Sequence, residues 1–437
     1  MLFKIEDNIW FDNNKMLILR GNYSEDKYEE YISESPDIKI KNRFNEKWRP
    51  TITYLSAVNC NLKCSYCYAD EGTYGDHHKK KYFTAETYIE TFDHFYKMFD
   101  GIKAVSFFGG EPLLNYKHIK KFVEYIHNNY PKECIPEFGI NTNGTIINSD
   151  IKEFLDKYKI SMGTSLDGNK SLNDFNRKGD GIPSVYDKVV DTLNYLEDLD
   201  VHKIIQFTLT KVHVDEYEPG KLKKWLSELE KLNIEAYEII PVTSNNKELK
   251  IDISDEKVLT KFKSMCEEMA DYYLGKIASG KAEKVPRMFV GILMRIIQRE
   301  YHQDCSAGYS FTITPDKIIY PCHCFSDKKE FALDFSELLT KNDFMNNKRF
   351  YEARLATREQ VSECKECIAK NVCGAWCKGL TFVETGSLES VLEARCIMVK
   401  ILVEKIVKFL VSEYPKNKEN IRNNIIKYNN NALRRII

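Results

Sequence analysis

The sequence predicts an α/β protein built on a parallel sheet, and three observations predict it. Between Thr51 and about Val242, short β-branched or aromatic runs alternate with amphipathic stretches of helix length. Neighbouring strands are separated by segments long enough for right-handed crossovers. The groups best suited to chemistry follow strands directly, where parallel α/β folds collect their sites. Strands are expected over 52–57, 104–108, 137–141, 160–165, 204–210 and 237–241, and helices over 85–99, 118–129, 150–158, 185–199 and 222–232. Such a series forms an open sheet or a partial barrel.

The flanks read differently. Residues 1–48 alternate apolar and polar positions from Phe3 to Leu19, with a turn at Asp12-Asn13-Asn14 and one short helix over 24–32. They predict a small β-rich appendage, with a disordered lead-in as the alternative. The α/β unit spans 49–250. Residues 251–304 predict a bridge of two helices with Gly275 and Gly280 between them. Residues 305–400 are turn-rich and dense in cysteine, with apolar runs too short to bury much surface alone, so bound metal is expected to supply part of their folding energy. Residues 401–437 belong to a helical tail broken at Pro415.

Composition narrows the function. The chain has 437 residues, 30% charged and 43% hydrophobic, which excludes wholesale disorder and fibrous repeats. The 64 Lys and Arg against 65 Asp and Glu leave a net charge of −1, so there is no general field for nucleic acid. No apolar run approaches the roughly 20 residues that cross a bilayer, and the opening Met-Leu-Phe-Lys-Ile-Glu-Asp carries no signal-peptide core. A cytoplasmic location without membrane contact is expected. Thirteen cysteines in a reducing compartment then point to metal ligation rather than disulfides. Cys60, Cys64 and Cys67 are bunched, Cys134 and Cys266 stand alone as small buried hydrophobes, and eight lie between Cys305 and Cys396.

Cys60, Cys64 and Cys67 form a Cx3Cx2C loop just after the first expected strand. An iron–sulfur cube takes four thiolates, so three leave one iron without a protein ligand. A zinc site completed by His77 or His78 is the alternative. Gly109-Gly110-Glu111-Pro112 follows the second strand; the glycines let backbone approach a ligand closely, and the Glu111 region offers acceptors for an ammonium. Asn141-Thr142-Asn143-Gly144 and Ser165-Leu166-Asp167-Gly168 end the third and fourth strands. Each alone reads as a turn. Arg177 offers a fork for a carboxylate, or is a surface arginine.

Taken in order, these motifs resemble the radical S-adenosylmethionine (SAM) enzymes, with Gly109–Pro112 matching that family's GGEP motif. The resemblance implies a partial (β/α)6 TIM-like barrel. It implies a SAM-binding [4Fe–4S] cluster on Cys60, Cys64 and Cys67, and a SAM site made by Tyr66, Gly109, Gly110, Glu111, Pro112, Asn141, Asn143, Ser165, Asp167 and Arg177. The Glu111 region would hold the SAM amino group and Tyr66 would lie against the adenine. The chemistry implied is reductive cleavage of SAM to a 5′-deoxyadenosyl radical that takes hydrogen from a substrate.

The later cysteines resemble the SPASM domain, a module with two auxiliary [4Fe–4S] clusters; a zinc ribbon is the alternative. The resemblance assigns Cys305, Cys322 and Cys377 to the first cluster, and Cys364, Cys367, Cys373 and Cys396 to the second. Lys317 stands where the family has a glycine, a change expected to alter only a hairpin turn. Either Cys324 supplies the fourth ligand of the first cluster or one iron is open. An extended strand is expected to turn Cys324 away from Cys322, which favours the open iron.

SPASM-bearing relatives modify peptides. The run 66–75 and the segment Tyr320-Pro321-Cys322-His323 resemble maturases of cysteine-rich ribosomal peptides, which implies thioether formation on a precursor peptide whose leader docks on the N-terminal appendage. An electron donor of flavodoxin or ferredoxin type is implied. Anaerobic sulfatase-maturing enzymes, which make formylglycine, share nearly all these motifs. Carbon–carbon crosslinking or epimerisation of a peptide, and a non-catalytic iron–sulfur or zinc protein, are the further alternatives.

Overall fold

In a computed structural model, all residues are described except 23–24, 42–47, 76–80, 283, 303–304, 375 and 433–437. At the N-terminus, β1 (Leu2–Glu6), β2 (Ile9–Asp12) and β3 (Leu17–Arg20) form an antiparallel meander. The alternation of the sequence becomes one buried face, with Phe11 and Leu19 in the core. The expected Asp12–Asn14 turn joins β2 to β3, held by the Lys15 amide donating to Asp12 Oδ1 at 2.5 Å. A helix (Glu25–Glu34) and β4 (Lys39–Lys41) follow.

The central sheet contains β5 (Thr51–Val58), β6 (Lys81–Tyr82), β7 (Ala104–Gly109), β8 (Glu137–Thr142), β9 (Ser161–Ser165), β10 (Lys203–Leu209) and β11 (Ala236–Pro241). Apart from β6, which pairs antiparallel with β5, these strands lie side by side in chain order, each parallel to the next. That order is the βα repeat read from the sequence, and it brings all six carboxyl ends to one rim. The strands are buried almost throughout because helices cover them.

The first of these helices shows why. Thr84 caps it by accepting from the Thr87 amide at 3.1 Å, Glu86 complements the N-terminal dipole, and Asp100 ends it with a left-handed φ of 53°. Tyr88, Phe92, Phe95 and Phe99 recur at helical spacing and are buried on its inner face. Each such ring stabilises the fold by about 1.5–3 kcal/mol on burial, and Phe92→Ala would cost about 3–5 kcal/mol.

The sheet does not stop at the last βα unit. After helices Glu256–Ala278 and Arg287–Gln298 comes β12 (Glu300–His302), which pairs parallel with β4. Then β13 (Phe311–Ile313), β14 (Ile318–Tyr320) and β15 (Leu333–Asp334) add to the other edge of β5, through the parallel register Phe311 with Ile52 and Ile313 with Tyr54. The result is a mixed ten-stranded sheet whose edges, β11 and β15, do not meet, so any barrel is partial. Lys317 turns the β13–β14 hairpin with a φ of 60°, the conformation for which glycine is suited. Gly280 lies between the two helices as expected, whereas Gly275 sits inside the first. The tail forms helices Glu393–Ser412 and Tyr414–Ala432, with the break next to Pro415.

Candidate active site at the barrel rim

A cavity of about 430 Å³ opens at the carboxyl ends of the strands, within the roughly 300–1,000 Å³ of small-molecule sites. Cys60, Cys64 and Cys67 line one end, on the loop that leaves β5. Two outer groups reach their sulfurs: Asn143 Nδ2 stands 3.8 Å from Cys60 Sγ, and Arg177 Nη1 stands 4.0 Å from Cys64 Sγ. Burial pushes the Cys60 thiol up to about 12 and the Cys64 thiol up to about 11, so both become thiolates near neutrality only beside a cation. Three thiols bordering one cavity, each open to a charge that would ionise it, fit an iron–sulfur group. Among the described residues no three His, Cys, Asp or Glu side chains are arranged to hold a single metal ion. His77 and His78, the expected zinc partners, lie outside the described residues.

The expected SAM residues divide into those that line the cavity and those that hold its walls. Tyr66, Gly109, Gly110, Asn141, Asn143, Ser165 and Arg177 line it. Glu111, Pro112 and Asp167 do not. Glu111 is wholly buried; its carboxylate accepts from the Asn143 amide at 2.7 Å, the Thr142 hydroxyl at 2.7 Å and the Leu113 amide at 2.9 Å. Burial pushes it up to about 7 against those donors. The side chain is thus engaged within the chain, where Glu111 ties the β7 loop to the end of β8, and the acceptors that the Glu111 region leaves for an ammonium are those of its backbone. The neighbouring glycines serve the chain as well as the cavity. A Cβ on Gly109 would stand 2.4 Å from Ala57 O, and one on Gly110 would stand 2.2 Å from Asn59 O, so both allow the loop to lie against the cysteine loop.

Arg177 is not a surface arginine, and it already holds a carboxylate of the chain itself. Its Nε donates to Asp167 Oδ2 at 2.9 Å and its Nη2 to Oδ1 at 3.4 Å, while the Tyr66 hydroxyl donates to Oδ2 at 2.5 Å. The guanidinium carbon lies 5.3 Å from the Tyr66 ring centroid. The Thr208 amide adds a fourth bond to Asp167 at 2.9 Å. His213 accepts from the Thr210 amide at Nδ1, so its Nε2 carries the proton and donates to Asp167 O at 3.3 Å. Asp167 thus joins the cysteine loop and β10 through its buried carboxylate, and the helix Lys211–Glu216 through its backbone carbonyl.

Asn141 Nδ2 donates to Ser106 Oγ at 3.2 Å. Thr164 also borders the cavity, and its hydroxyl is buried without a hydrogen-bond partner. That hydroxyl lies against Gly144, on the face opposite Asn141 and Ser165. Asn141, Ser165 and the Gly109–Gly110 backbone border the cavity together and suit a polar ligand such as SAM.

The far wall was not legible as a site. It carries Gln206 and Glu238, which face each other across β10 and β11, with Arg287, His323, Cys324 and Arg395. Burial pushes Glu238 up to about 7; its Oε2 accepts from the Met288 amide at 3.3 Å. The one available signal was a carboxylate inside the apolar run Ala236–Pro241, since buried charge is costly without a purpose. His323 stacks on Phe108 at 4.5 Å, and burial lowers it to about 4.

The later cysteines form two groups. Cys364, Cys367, Cys373 and Cys396 line a cavity of about 240 Å³ with Arg358 and Lys400. The N-terminal sheet reaches this group: Asn13 Nδ2 donates to Cys367 O at 2.7 Å, and Asn371 Nδ2 returns a bond to Asn13 O at 2.8 Å. Cys305, Cys322 and Cys377 gather elsewhere, with the Lys378 ammonium facing the first two. The expected orientation of Cys324 is corrected. β14 ends at Tyr320 and residues His323–Phe325 form a tight turn, so no strand turns Cys324 away from Cys322; a strand would in any case put these alternate residues on one face. The Cys322 and Cys324 sulfurs both lie against Gly379, two residues past Cys377. Cys266 is buried inside its helix as expected, while Cys134 is only half-buried.

Comparison with known proteins gives this geometry a family. Residues 54–226 match the model of the radical SAM superfamily. An uncharacterized protein of Methanocaldococcus jannaschii is 38% identical over 129 residues, 29% of this chain and 42% of that one, so the match spans about two fifths of that relative. A cysteine-type anaerobic sulfatase-maturating enzyme of Clostridium novyi is 22% identical, over 74% of this chain and 86% of its own. The radical SAM cyclopropyl synthase TigE of Paramaledivibacter caminithermalis is 22% identical, over 82% of this chain and 74% of its own. Among solved structures, anSMEcpe with bound AdoMet superposes with a TM-score of 0.71 at 19% identity, covering 87% of this chain and 99% of that one. SuiB of Streptococcus suis bound to precursor peptide SuiA gives a TM-score of 0.54 at 15% identity, covering 80% and 76%. At such identities the superpositions show the shared fold. Among the described residues no helix is long and apolar enough to cross a membrane. Residues 54–226 therefore form a radical SAM domain.

Proposed function

We propose that the enzyme modifies a ribosomally made peptide, joining a cysteine sulfur to a neighbouring carbon, and that its two later cysteine groups hold auxiliary iron–sulfur clusters. The observation that carries this reading is the reach of the main cavity, from Cys60, Cys64 and Cys67 at one end to His323, Cys324 and Arg395 of the cysteine-rich segment at the other. A peptide side chain held there would lie between the two cysteine groups. The relatives support the substrate class: structures exist of anSMEcpe with the Cp18Cys peptide and of SuiB with SuiA.

The chain's own residues supply position and environment. Cys60, Cys64 and Cys67 would hold a [4Fe–4S] cluster with one iron left for SAM. Once loaded, this pair supplies hydrogen-atom abstraction. Asn141, Ser165 and the Gly109–Gly110 backbone would grip the polar parts of SAM, with Tyr66 at the adenine. Arg177, fixed by Asp167, would place positive charge beside the Cys64 sulfur and favour the reduced cluster. Gln206, Glu238 and Arg287 would receive the peptide. The N-terminal sheet would dock the leader by strand addition, and a ferredoxin- or flavodoxin-type protein of the cytoplasm would supply electrons.

The test is the product. Reconstituted enzyme, SAM and a reductant are incubated with a cysteine-containing precursor peptide encoded beside this gene, and the peptide is analysed by mass spectrometry. A thioether keeps the sulfur, loses two hydrogens and no longer alkylates. A product that has lost its sulfur and reacts with a hydrazide is formylglycine, and would replace this reading with sulfatase maturation.

A further inference from the structure

We infer that Cys324 is the fourth protein ligand of the first auxiliary cluster, closing that cluster so that no iron is left for a substrate thiolate. This rests on the proposal that Cys305, Cys322 and Cys377 hold such a cluster, and it decides what the cluster can do there.

Three independent features converge on Cys324. The first is placement. A Cβ built on Gly379 would stand 2.5 Å from Cys324 Cβ, 3.0 Å from Cys322 Sγ and 3.5 Å from Cys324 Sγ, so both sulfurs occupy the space that this glycine leaves open. Gly379 follows Cys377 by two residues, in the first turn of the helix Lys378–Thr385, which brings the third cysteine to the same spot. The second is the turn that aims the side chains. The Phe325 amide donates to Cys322 O at 3.0 Å and closes the turn. The wholly buried Phe325 ring then anchors it, 4.3 Å from Phe331 and 5.8 Å from Phe382. With the backbone so fixed, Cys322 and Cys324 lie towards Gly379 while His323, between them, stacks on Phe108 in the main cavity. Cys324 itself is 4% exposed.

The third feature is charge. Lys378 is 1% exposed, and its ammonium donates only to carbonyls, Ala353 O at 2.6 Å and Arg354 O at 3.2 Å. Arg395 is 8% exposed and donates to Pro241 O and Thr243 Oγ1, both at 3.3 Å. Neither cation forms an ion pair with a carboxylate among the described residues. Lys378 shares the wall of one small cavity with Cys305, and Arg395 shares the wall of the main cavity with Cys324. Buried cations persist where a counter-charge offsets their desolvation. Arg358, 5% exposed, adds a third cation beside Cys305 and Lys378. An oxidised cube carries about two net negative charges on four thiolates and about one on three, so the four-thiolate cluster offsets more of this buried positive charge.

A closed cluster cannot bind the substrate sulfur, so a substrate cysteine would be held by the cavity walls and the cluster would serve to pass electrons. Gly379 is then the residue that makes room for the fourth ligand.

The test uses the full chain carrying Cys60→Ala, Cys64→Ala and Cys67→Ala, reconstituted anaerobically, so that only auxiliary iron contributes. This parent should hold about eight iron atoms per chain, and its Mössbauer and reduced EPR spectra should not change on adding cyanide or 2-mercaptoethanol. Adding Cys324→Ala should create one differentiated iron whose spectrum does respond to cyanide, and Cys324→Ser should shift the spectrum with the iron retained. Gly379→Ala in the same parent, with Cys324 and every other auxiliary cysteine retained, should reproduce the cyanide response by displacing Cys324. A parent that responds to cyanide, or a Cys324→Ser or Gly379→Ala spectrum identical to the parent's, overturns the inference. A parent with only about four iron atoms overturns instead the proposal of two auxiliary clusters.

Discussion

Removing the charge of Asp167 should loosen the cysteine loop more than any exposed substitution in the barrel. Asp167 is wholly buried and accepts from Tyr66, Arg177 and Thr208. Asp167→Asn leaves the Arg177 guanidinium, itself 6% exposed, without its counter-charge. Breaking a buried pair from one side costs about 3–5 kcal/mol. Tyr66→Phe removes one hydrogen bond to the same carboxylate, about 1.5–3 kcal/mol. The two substitutions share an acceptor, so the double variant should cost at least about 1 kcal/mol less than their sum. Asp150→Asn is the control, because the Lys120–Asp150 pair is exposed and contributes only about 0–1 kcal/mol. Urea unfolding of the anaerobic protein, followed by circular dichroism, measures all four. An Asp167→Asn cost below about 1 kcal/mol, or strict additivity with Tyr66→Phe, would refute the idea that this carboxylate anchors the loop.

Three further outcomes are expected. Folded Glu111 keeps its proton to about pH 7, whereas an unfolded glutamate loses it near 4.3. The folded state therefore binds more protons between those values, and stability falls as pH rises through that window, by up to about 1.4 kcal/mol per unit; Glu111→Gln should flatten the slope measured by unfolding from pH 5 to 7.5. Gly163→Ala would place a Cβ 2.5 Å from Asn141 Oδ1 and displace that amide, so equilibrium dialysis should show SAM binding weakened about tenfold, roughly 1.4 kcal/mol. Replacing Lys317 by glycine relieves a left-handed φ but loses the 2.5 Å ion pair with Glu90, so stability should rise by no more than about 1 kcal/mol.

The barrel was legible because its signals are periodic. Tyr88, Phe92, Phe95 and Phe99 mark one helix face, and the strands around Val105 and Ile205 are short runs rich in β-branched and aromatic residues between turns. The Cys60–Cys67 loop stood out by its spacing, and the grouping of the later cysteines came from the resemblance to the SPASM domain. What sequence spacing does not carry is direction. Glu111 stands in the right motif yet points into the barrel wall, and Arg177 has the right chemistry but is held by Asp167, which the reading had placed at the ligand. The three residues of β13 gave no periodic signal, and their pairing with β5 joins positions more than two hundred residues apart. Gln206, Glu238, Arg287 and Arg395 belong to no motif; only the fold brings them to one cavity. Cys324 was misdirected because the turn after Pro321 depends on Phe325 burying itself against Phe331 and Phe382, a contact that the local sequence does not announce.

The central claim is that Cys60, Cys64 and Cys67 hold the group at which SAM is cleaved. The most direct measurement is 5′-deoxyadenosine released from SAM by the dithionite-reduced, reconstituted protein, set against the Cys60→Ala, Cys64→Ala, Cys67→Ala variant that keeps its other cysteines. The account predicts release by the native protein and none by the variant. Equal release by both, or an iron-loaded native protein that leaves SAM intact, would contradict it.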